Sequence, residues 1–167
     1  MSLPVQDAAA AVVAGAIGKG VTVATAESLT AGMVAAFLAN TPGASGMLQG
    51  GVVAYQNSVK SAVLGVSREL LEEAGSVDGR VAAAMAEGAR LACGADVGVS
   101  TTGVAGPEPH DGKAVGTVFI GVASGKGSGF YGYEFAGSRA EIREQAVSAA
   151  FSRVLELLED ADLPHVK

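Results

Sequence analysis

The sequence has no tryptophan, only 5% aromatic residues and a single cysteine. A core without large rings must be assembled from Ala, Val, Leu and Ile, and the 24 glycines imply backbones that approach closely in many places. The lone thiol, Cys93, cannot close an internal disulfide, which fits a reducing compartment. It falls in an Ala-rich stretch and reads as a small core residue. No run of roughly 18 apolar residues exists, so no membrane span is expected. No basic start precedes an apolar run at the N-terminus, so no leader is expected and the localisation reads as cytoplasmic. Blocks of about five or more like charges are absent. The net charge of −6, from 11 basic and 17 acidic residues, disfavours nucleic acid as a direct partner. There are two histidines, His110 and His165. Neither has metal-ligand spacing and no Cys pair accompanies them, so no metal is expected. A Ser-His-Asp triad is poorly served for the same reason. Neither a phosphate-binding Walker loop nor a dinucleotide glycine fingerprint is found, so no cofactor is expected.

What is present is an apolar chain: 49% apolar against 17% charged residues, the reverse of a disordered composition. Its 167 residues suit one domain. Val5, Ala9, Val12, Val13 and Ala16 recur at helical spacing, predicting a helix over 5–18 that Gly18-Lys19-Gly20 ends. Residues 21–26 read as a buried strand, 30–40 as a helix and 41–46 as a loop. Residues 47–55 form a second strand, with Gly50-Gly51 marking a bulge or a close backbone approach. Three helices follow: 58–64 capped by Asn57, 68–74 capped by Ser67 and closed by Gly75, and 79–92 capped by Asp78. Strands are expected over 96–102, 115–123 and 130–135, with a loop over 103–114 and a hairpin turn over 124–129. Ser138-Arg139-Ala140-Glu141 is a capping box that opens a last helix over about 139–160, before a tail at 163–167. Strands alternating with helices and then a hairpin predict a single three-layer α/β/α sandwich over 1–167, around one mixed, mostly parallel sheet of about five strands.

Four segments carry chemistry. In Thr25-Ala26-Glu27-Ser28-Leu29-Thr30-Ala31-Gly32, a serine sits on a strand-to-helix turn. Free N–H groups and the positive end of the helix dipole there stabilise an oxyanion or an anion. Alternatively, Ser28 or Thr30 is only an N-cap. In Tyr55-Gln56-Asn57-Ser58-Val59-Lys60, a lysine follows a tyrosine by five residues. A serine nucleophile needs a base, which a lysine supplies when burial lowers its pKa, with a phenol relaying the proton. A surface lysine beside a half-buried tyrosine is the other reading. Ser100-Thr101-Thr102-Gly103-Val104-Ala105-Gly106-Pro107 is a strand end leading into a glycine-bearing loop, the place where open α/β sheets bind ligands, or else an ordinary turn. Arg139 and Arg143 stand four apart at a helix start, where they oppose the helix dipole and each other. They invite a phosphate, or they are a solvated face paired with Glu141 and Glu144.

In this order, the segments resemble the CinA carboxyl-terminal domain family. The match runs over about 21–147 and includes Gly50-Gly51-Val52-Val53-Ala54-Tyr55, Leu64-Gly65-Val66 and Val115-Gly116-Thr117-Val118. The resemblance implies a three-layer α/β/α fold, often in a homo-oligomer. It also implies nicotinamide mononucleotide amidase activity in pyridine nucleotide salvage, without metal or cofactor. Carried over by position, Ser28 is the nucleophile, and Lys60 and Tyr55 are base and proton relay in an order left open. The substrate nucleotide is expected to meet Glu27, Thr30, Gly32, Asn57, Thr102, Gly103 and Gly106, with Arg139 or Arg143 on its phosphate. Backbone N–H groups near Thr30 or Thr102-Gly103 would hold the oxyanion.

The sequence also departs from the family. Leu29 stands where Cys or Thr is frequent, and Ala31 interrupts the usual Thr-Gly-Gly, implying a more apolar and tighter pocket beside Ser28. The loop after Ala-Gly-Pro is Glu108-Pro109-His110-Asp111-Gly112 rather than glycine-rich, hence more acidic and stiffer. Many members carry a second, N-terminal domain; a chain of this length is expected to hold the carboxyl-terminal one alone. A nucleotide-sensing domain without turnover and an amidase of a different amide are the alternatives. A DNA-processing accessory is a third, against which the charge and the few aromatics argue.

Overall fold

A computed structural model describes residues 3–160; the tail expected over 163–167, with His165, lies outside the described residues. Helix α1 (Val5–Lys19) buries Ala8, Ala9, Val12, Val13 and Ala16 along one face, as the spacing requires, and stops where Gly20 turns left-handed at φ 67°. Strand β1 (Val23–Glu27) is buried along its whole length. Helix α2 (Met33–Ala39) and a short 3₁₀ turn (Ala44–Gly46) lead to β2 (Leu48–Val53). Helices α3 (Asn57–Ala62), α4 (Arg68–Ala74) and α5 (Gly79–Cys93) lead to β3 (Val97–Gly103). The hairpin β4 (Thr117–Ser124) and β5 (Gly127–Glu134) precedes α6 (Arg139–Leu158). This is the expected element order.

The sheet order is β2-β1-β3-β4-β5. β1 pairs parallel with β2 and β3, while β4 is antiparallel to both of its neighbours. Four of the five strands therefore run one way, and the sheet is mixed as expected. Helices α1, α2 and α6 cover one face through a core containing Val12, Val23, Leu38, Val97, Ile142 and Phe151. Helices α3, α4 and α5 cover the other through Ala24, Ala26, Leu64, Leu71 and Met85. Close backbone approach is concentrated under α5: a Cβ on Gly98 would lie 2.0 Å from the Ala86 carbonyl oxygen, and one on Gly121 would lie 2.1 Å from that of Ala82. Small residues let this helix lie on the sheet with few aromatics between them. Cys93, at the end of α5, is half-buried against Gly50 rather than fully in the core.

The caps at Ser67, Asp78 and Ser138 form as expected, the last as a full capping box. Several boundaries differ. Helix α2 begins at Met33 rather than residue 30, because Ala31 (φ 49°) and Gly32 (φ 103°) are left-handed and cannot belong to a right-handed helix. Asn57 is the first residue of α3 and caps nothing; Gln56 holds the cap position without a side-chain bond. The hairpin turn is Gly125-Lys126 alone, because Ser128 and Gly129 pair with Ala123 and Val122. Strand pairing overrides the turn-like composition there. The β1–β2 register skips Gln49, so the glycine pair does mark a bulge, and a Cβ on Gly51 would meet Thr25 Oγ1 at 2.2 Å. Among the described residues, no helix is long and apolar enough to cross a membrane.

Candidate active site

β1 and β3 are adjacent and parallel, and the chain leaves them toward opposite edges of the sheet. Ligand crevices of open α/β sheets form at such a switch point, outside the carboxyl ends of the strands. A cavity of about 510 Å³ opens there, within the range of small-molecule sites. Its wall includes Ser28 and Leu29 after β1, Tyr55, Gln56 and Asn57 before α3, Ser76, the segment Gly103 to Asp111, and Arg139.

Ser28 follows the last residue of β1, and its amide donates to the Thr101 carbonyl at 2.9 Å, which ties it to the end of β3. Lys60 is fully buried beneath it. The lysine Nζ lies 3.1 Å from Ser28 Oγ, 2.8 Å from the Ala54 carbonyl and 3.2 Å from the Tyr55 carbonyl. Three acceptors match the three protons of an ammonium. In the neutral amine, the two carbonyls still take the two N–H bonds, and the lone pair is left facing the serine hydroxyl. Burial pushes Lys60 down from 10.5 to about 8, against a smaller upward pull from Asp111. The site thus places a buried lysine, its pKa lowered to about 8, against a serine, an arrangement that can support nucleophilic catalysis without histidine.

Tyr55 meets this pair through its backbone. Its ring is half-exposed, and its hydroxyl accepts from Arg139 at 3.2 Å. Of the two bases left open by the sequence, Lys60 is the one in contact with Ser28. Arg139 also donates to the Gly106 carbonyl. Both partners are neutral oxygens, which leaves the guanidinium charge available to an anion in the cavity. Glu141, one of the two carboxylates that the solvated-face reading paired with these arginines, is instead occupied in the capping box with Ser138. The amide of Leu29, the residue after the serine, has no acceptor among the described residues.

The remaining expected residues divide. Asn57, Gly103 and Gly106 line the cavity. Glu27, Thr30, Gly32, Thr102 and Arg143 do not, and each has a structural task. The buried Glu27 carboxylate accepts from Thr30 Oγ1 at 2.6 Å and from the amides of Val34 and Ala35 at 2.8 and 3.2 Å. It caps α2 from the strand side, which local sequence cannot reveal because the donors lie seven and eight residues on. Thr30 Oγ1 also meets Thr101 Oγ1 at 2.7 Å. Thr102 donates to the Ser76 carbonyl at 2.7 Å. Arg143 donates to the carbonyls of Leu29 and Thr30 at 2.8 and 3.3 Å, clamping the Ser28 turn to α6. Ala31 is exposed and lies outside the cavity wall, so its replacement of glycine costs backbone strain and does not narrow the pocket. Leu29 alone makes the wall beside Ser28 apolar.

Sequence reasoning missed Ser76 and the role of Asp111. His110 and Lys113 exchange two backbone bonds around Asp111 (φ 49°) and Gly112 (φ 72°), a tight Asp-Gly turn. Asp111 Oδ2 accepts from the Ser76 amide and Oγ, both at 3.0 Å. The backbone bond from Ser76 holds the Asp111 carboxyl below its usual range. The Asp-Gly pair was a legible turn signal; its anchor, 35 residues upstream, was not.

The family profile of the CinA C-terminal domain matches residues 5–158. A CinA-like protein of Frankia casuarinae is 44% identical over 149 residues, which are 89% of this chain and 34% of that protein. The chain spans about a third of the length of the curated relatives it matches. Two crystal structures are similar throughout. The competence/damage inducible protein CihA from Agrobacterium tumefaciens has a TM-score of 0.88 and 32% identity, covering 93% of this chain and 98% of that one. The competence damage-inducible protein A from Klebsiella pneumoniae has a TM-score of 0.92 and 28% identity, covering 96% and 100%. With a profile match across nearly the whole described fold, the chain belongs to the CinA C-terminal domain family.

Proposed function

We propose that this domain is a serine amidase that hydrolyses the carboxamide of nicotinamide mononucleotide, yielding nicotinic acid mononucleotide and ammonia. The observation that carries the reading is the buried Lys60 amine 3.1 Å from Ser28 Oγ, at the floor of a cavity whose rim carries Arg139. Neutral Lys60 takes the hydroxyl proton as Ser28 Oγ attacks the carboxamide carbon. The tetrahedral oxyanion is held by the Leu29 amide. The Lys60 ammonium returns its proton to the nitrogen, the C–N bond breaks, and ammonia leaves an acyl-serine. Water then attacks the ester while Lys60 takes its proton, and the proton passes back to Ser28 as the acid departs. Arg139 binds the phosphate, with the Tyr55 hydroxyl fixing the guanidinium. Tyr55 acts through its carbonyl on Lys60 and through its ring as a cavity wall, in place of a proton relay.

The test is ammonia release from nicotinamide mononucleotide by wild type, Ser28→Ala and Lys60→Ala. Loss of about 10²-fold or more in both variants is expected. Turnover that survives Ser28→Ala refutes the covalent route and points to an activated water. Binding of the nucleotide without any wild-type turnover supports a sensing domain instead.

A further inference from the structure

The proposed reaction uses Ser28, Lys60 and Arg139 and leaves the strap over 107–112 without a task. Pro107, Glu108 and Pro109 line the cavity wall. The two prolines have no N–H, so this stretch carries carbonyls, a carboxylate and a single amide. A loop that cradles phosphate works the other way, through successive backbone N–H groups. The strap therefore suits a positive ligand group better than a negative one. Glu108 is exposed, and its carboxylate has no hydrogen-bond or ion-pair partner among the described residues. Its backbone has little freedom, because a proline follows it and another precedes it. Both ends of the strap are tied down. Arg139 donates to the Gly106 carbonyl before it, and His110 and Lys113 exchange two backbone bonds at its far end. Asp111, the other acid, is already engaged by the Ser76 amide and hydroxyl, both at 3.0 Å, and by His110 Nε2 at 3.3 Å.

The cavity thus has two electrical ends. Arg139, bonded to neutral oxygens, makes one positive, and Glu108 makes the other negative. Glu108 stands two residues from Gly106, which holds the guanidinium, so their Cα atoms are at most about 7 Å apart.

We propose that Glu108 is a specificity-determining residue that selects a substrate with a cationic ring, its carboxylate meeting the pyridinium while Arg139 holds the phosphate. This rests on the nucleotide reading of the site. In nicotinamide mononucleotide the ring nitrogen is quaternised by the ribose and carries a fixed positive charge, with the phosphate on the far side of the sugar. The two charges of the ligand match the two ends of the cavity in sign. The carboxamide belongs to the cationic ring, and Ser28 and Glu108 share the cavity wall, so a ring presented to Ser28 has the strap beside it. The same carboxylate repels the phosphate and disfavours the reversed orientation.

The experiment is calorimetric binding to the full chain carrying Ser28→Ala, so that no nucleotide is consumed. The ligands are nicotinamide mononucleotide and its reduced form, which keeps the carboxamide, ribose and phosphate but has a neutral dihydropyridine ring. With Glu108 in place, the oxidised form is expected to bind about threefold tighter or more, the scale of one partly screened charge pair. Glu108→Gln is expected to weaken the oxidised form alone and erase most of that preference, and Glu108→Asp to keep part of it. Arg139→Ala is expected to weaken both forms alike. Added salt is expected to narrow the preference. Equal affinity for the two forms, or a preference that Glu108→Gln leaves in place, overturns the proposal. So does a Glu108→Gln effect that is the same for both forms, which assigns the residue to the shape of the strap. A protein that shows the expected preference yet, with Ser28 restored, releases no ammonia refutes the amidase reading alone. If neither nucleotide binds, the nucleotide reading and this inference fall together.

Discussion

Replacing Lys60 with methionine separates what the buried amine costs the fold from what it does in the site. The folded chain lowers this lysine from 10.5 to about 8 because its side chain is out of water. The folded state therefore binds the proton less tightly than the unfolded state. Below pH 8, the burial of a charge lowers stability by about 3 kcal/mol on this linkage. Between pH 8 and 10.5, the unfolded chain holds the extra proton, so stability from this group rises with pH. About 2 kcal/mol is recovered between pH 7 and 9.5. Other lysines and tyrosines titrate in the same range, and the difference between wild type and Lys60→Met removes them. Urea unfolding followed by circular dichroism at pH 7, 8 and 9.5 should show wild type gaining about 2 kcal/mol relative to the variant. The same protonation governs catalysis. A base with a pKa of about 8 is roughly one-tenth neutral at pH 7 and nine-tenths neutral at pH 9, so kcat/KM should rise roughly tenfold. Lys60→Met should lose activity throughout. A stability difference that stays constant with pH, together with a flat rate profile from 7 to 9, refutes the assignment of Lys60 as a buried, titrating base.

Other perturbations test the remaining assignments. Arg139→Ala should raise KM for a phosphorylated substrate by about tenfold or more with a smaller effect on kcat. Arg143→Ala, which releases the Ser28 turn, should lower kcat equally for substrates with and without phosphate; steady-state kinetics on both substrates separates the two arginines. Glu27→Ala should destabilise the fold by about 2–4 kcal/mol, read by chemical denaturation, because the buried Thr30 hydroxyl and the first amides of α2 lose their acceptor. Ala31→Gly should raise stability by about 0.5–1 kcal/mol by relieving the left-handed backbone, visible as a higher Tm. Gly51→Ala should be severely destabilising and partly rescued by Thr25→Ala, since the added Cβ meets Thr25 Oγ1. A double-mutant cycle without coupling would refute that contact.

What the sequence by itself determined is what short-range physics decides. Helical spacing placed α1, and a serine, an aspartate and a capping box opened α4, α5 and α6. Alternating strands and helices followed by a hairpin specified the mixed sheet. Scarce aromatics and abundant glycine foretold close backbone approaches in general; the structure places the tightest of them between α5 and strands β3 and β4. Ser28, Lys60 and Arg139 were legible as residue types with a chemistry, each beside a strand end or a helix start.

Only the tertiary structure decided which of them meet. Lys60 reaches Ser28 because the ends of β1 and β2 and the start of α3 converge there, and the five-residue step to Tyr55 carried a carbonyl contact where a phenol contact was expected. Glu27, Thr30 and Arg143, expected at the ligand, bond within the Ser28 turn and to α2, through partners up to 114 residues away, and Thr102 bonds to the Ser76 carbonyl. Two left-handed residues delayed α2, and strand pairing shortened the hairpin turn. A polar side chain is claimed by whichever donor or acceptor the fold brings within about 3 Å. That neighbour is set by the packing of distant elements, so local sequence names the chemistry a residue can do and the folded chain names its partner.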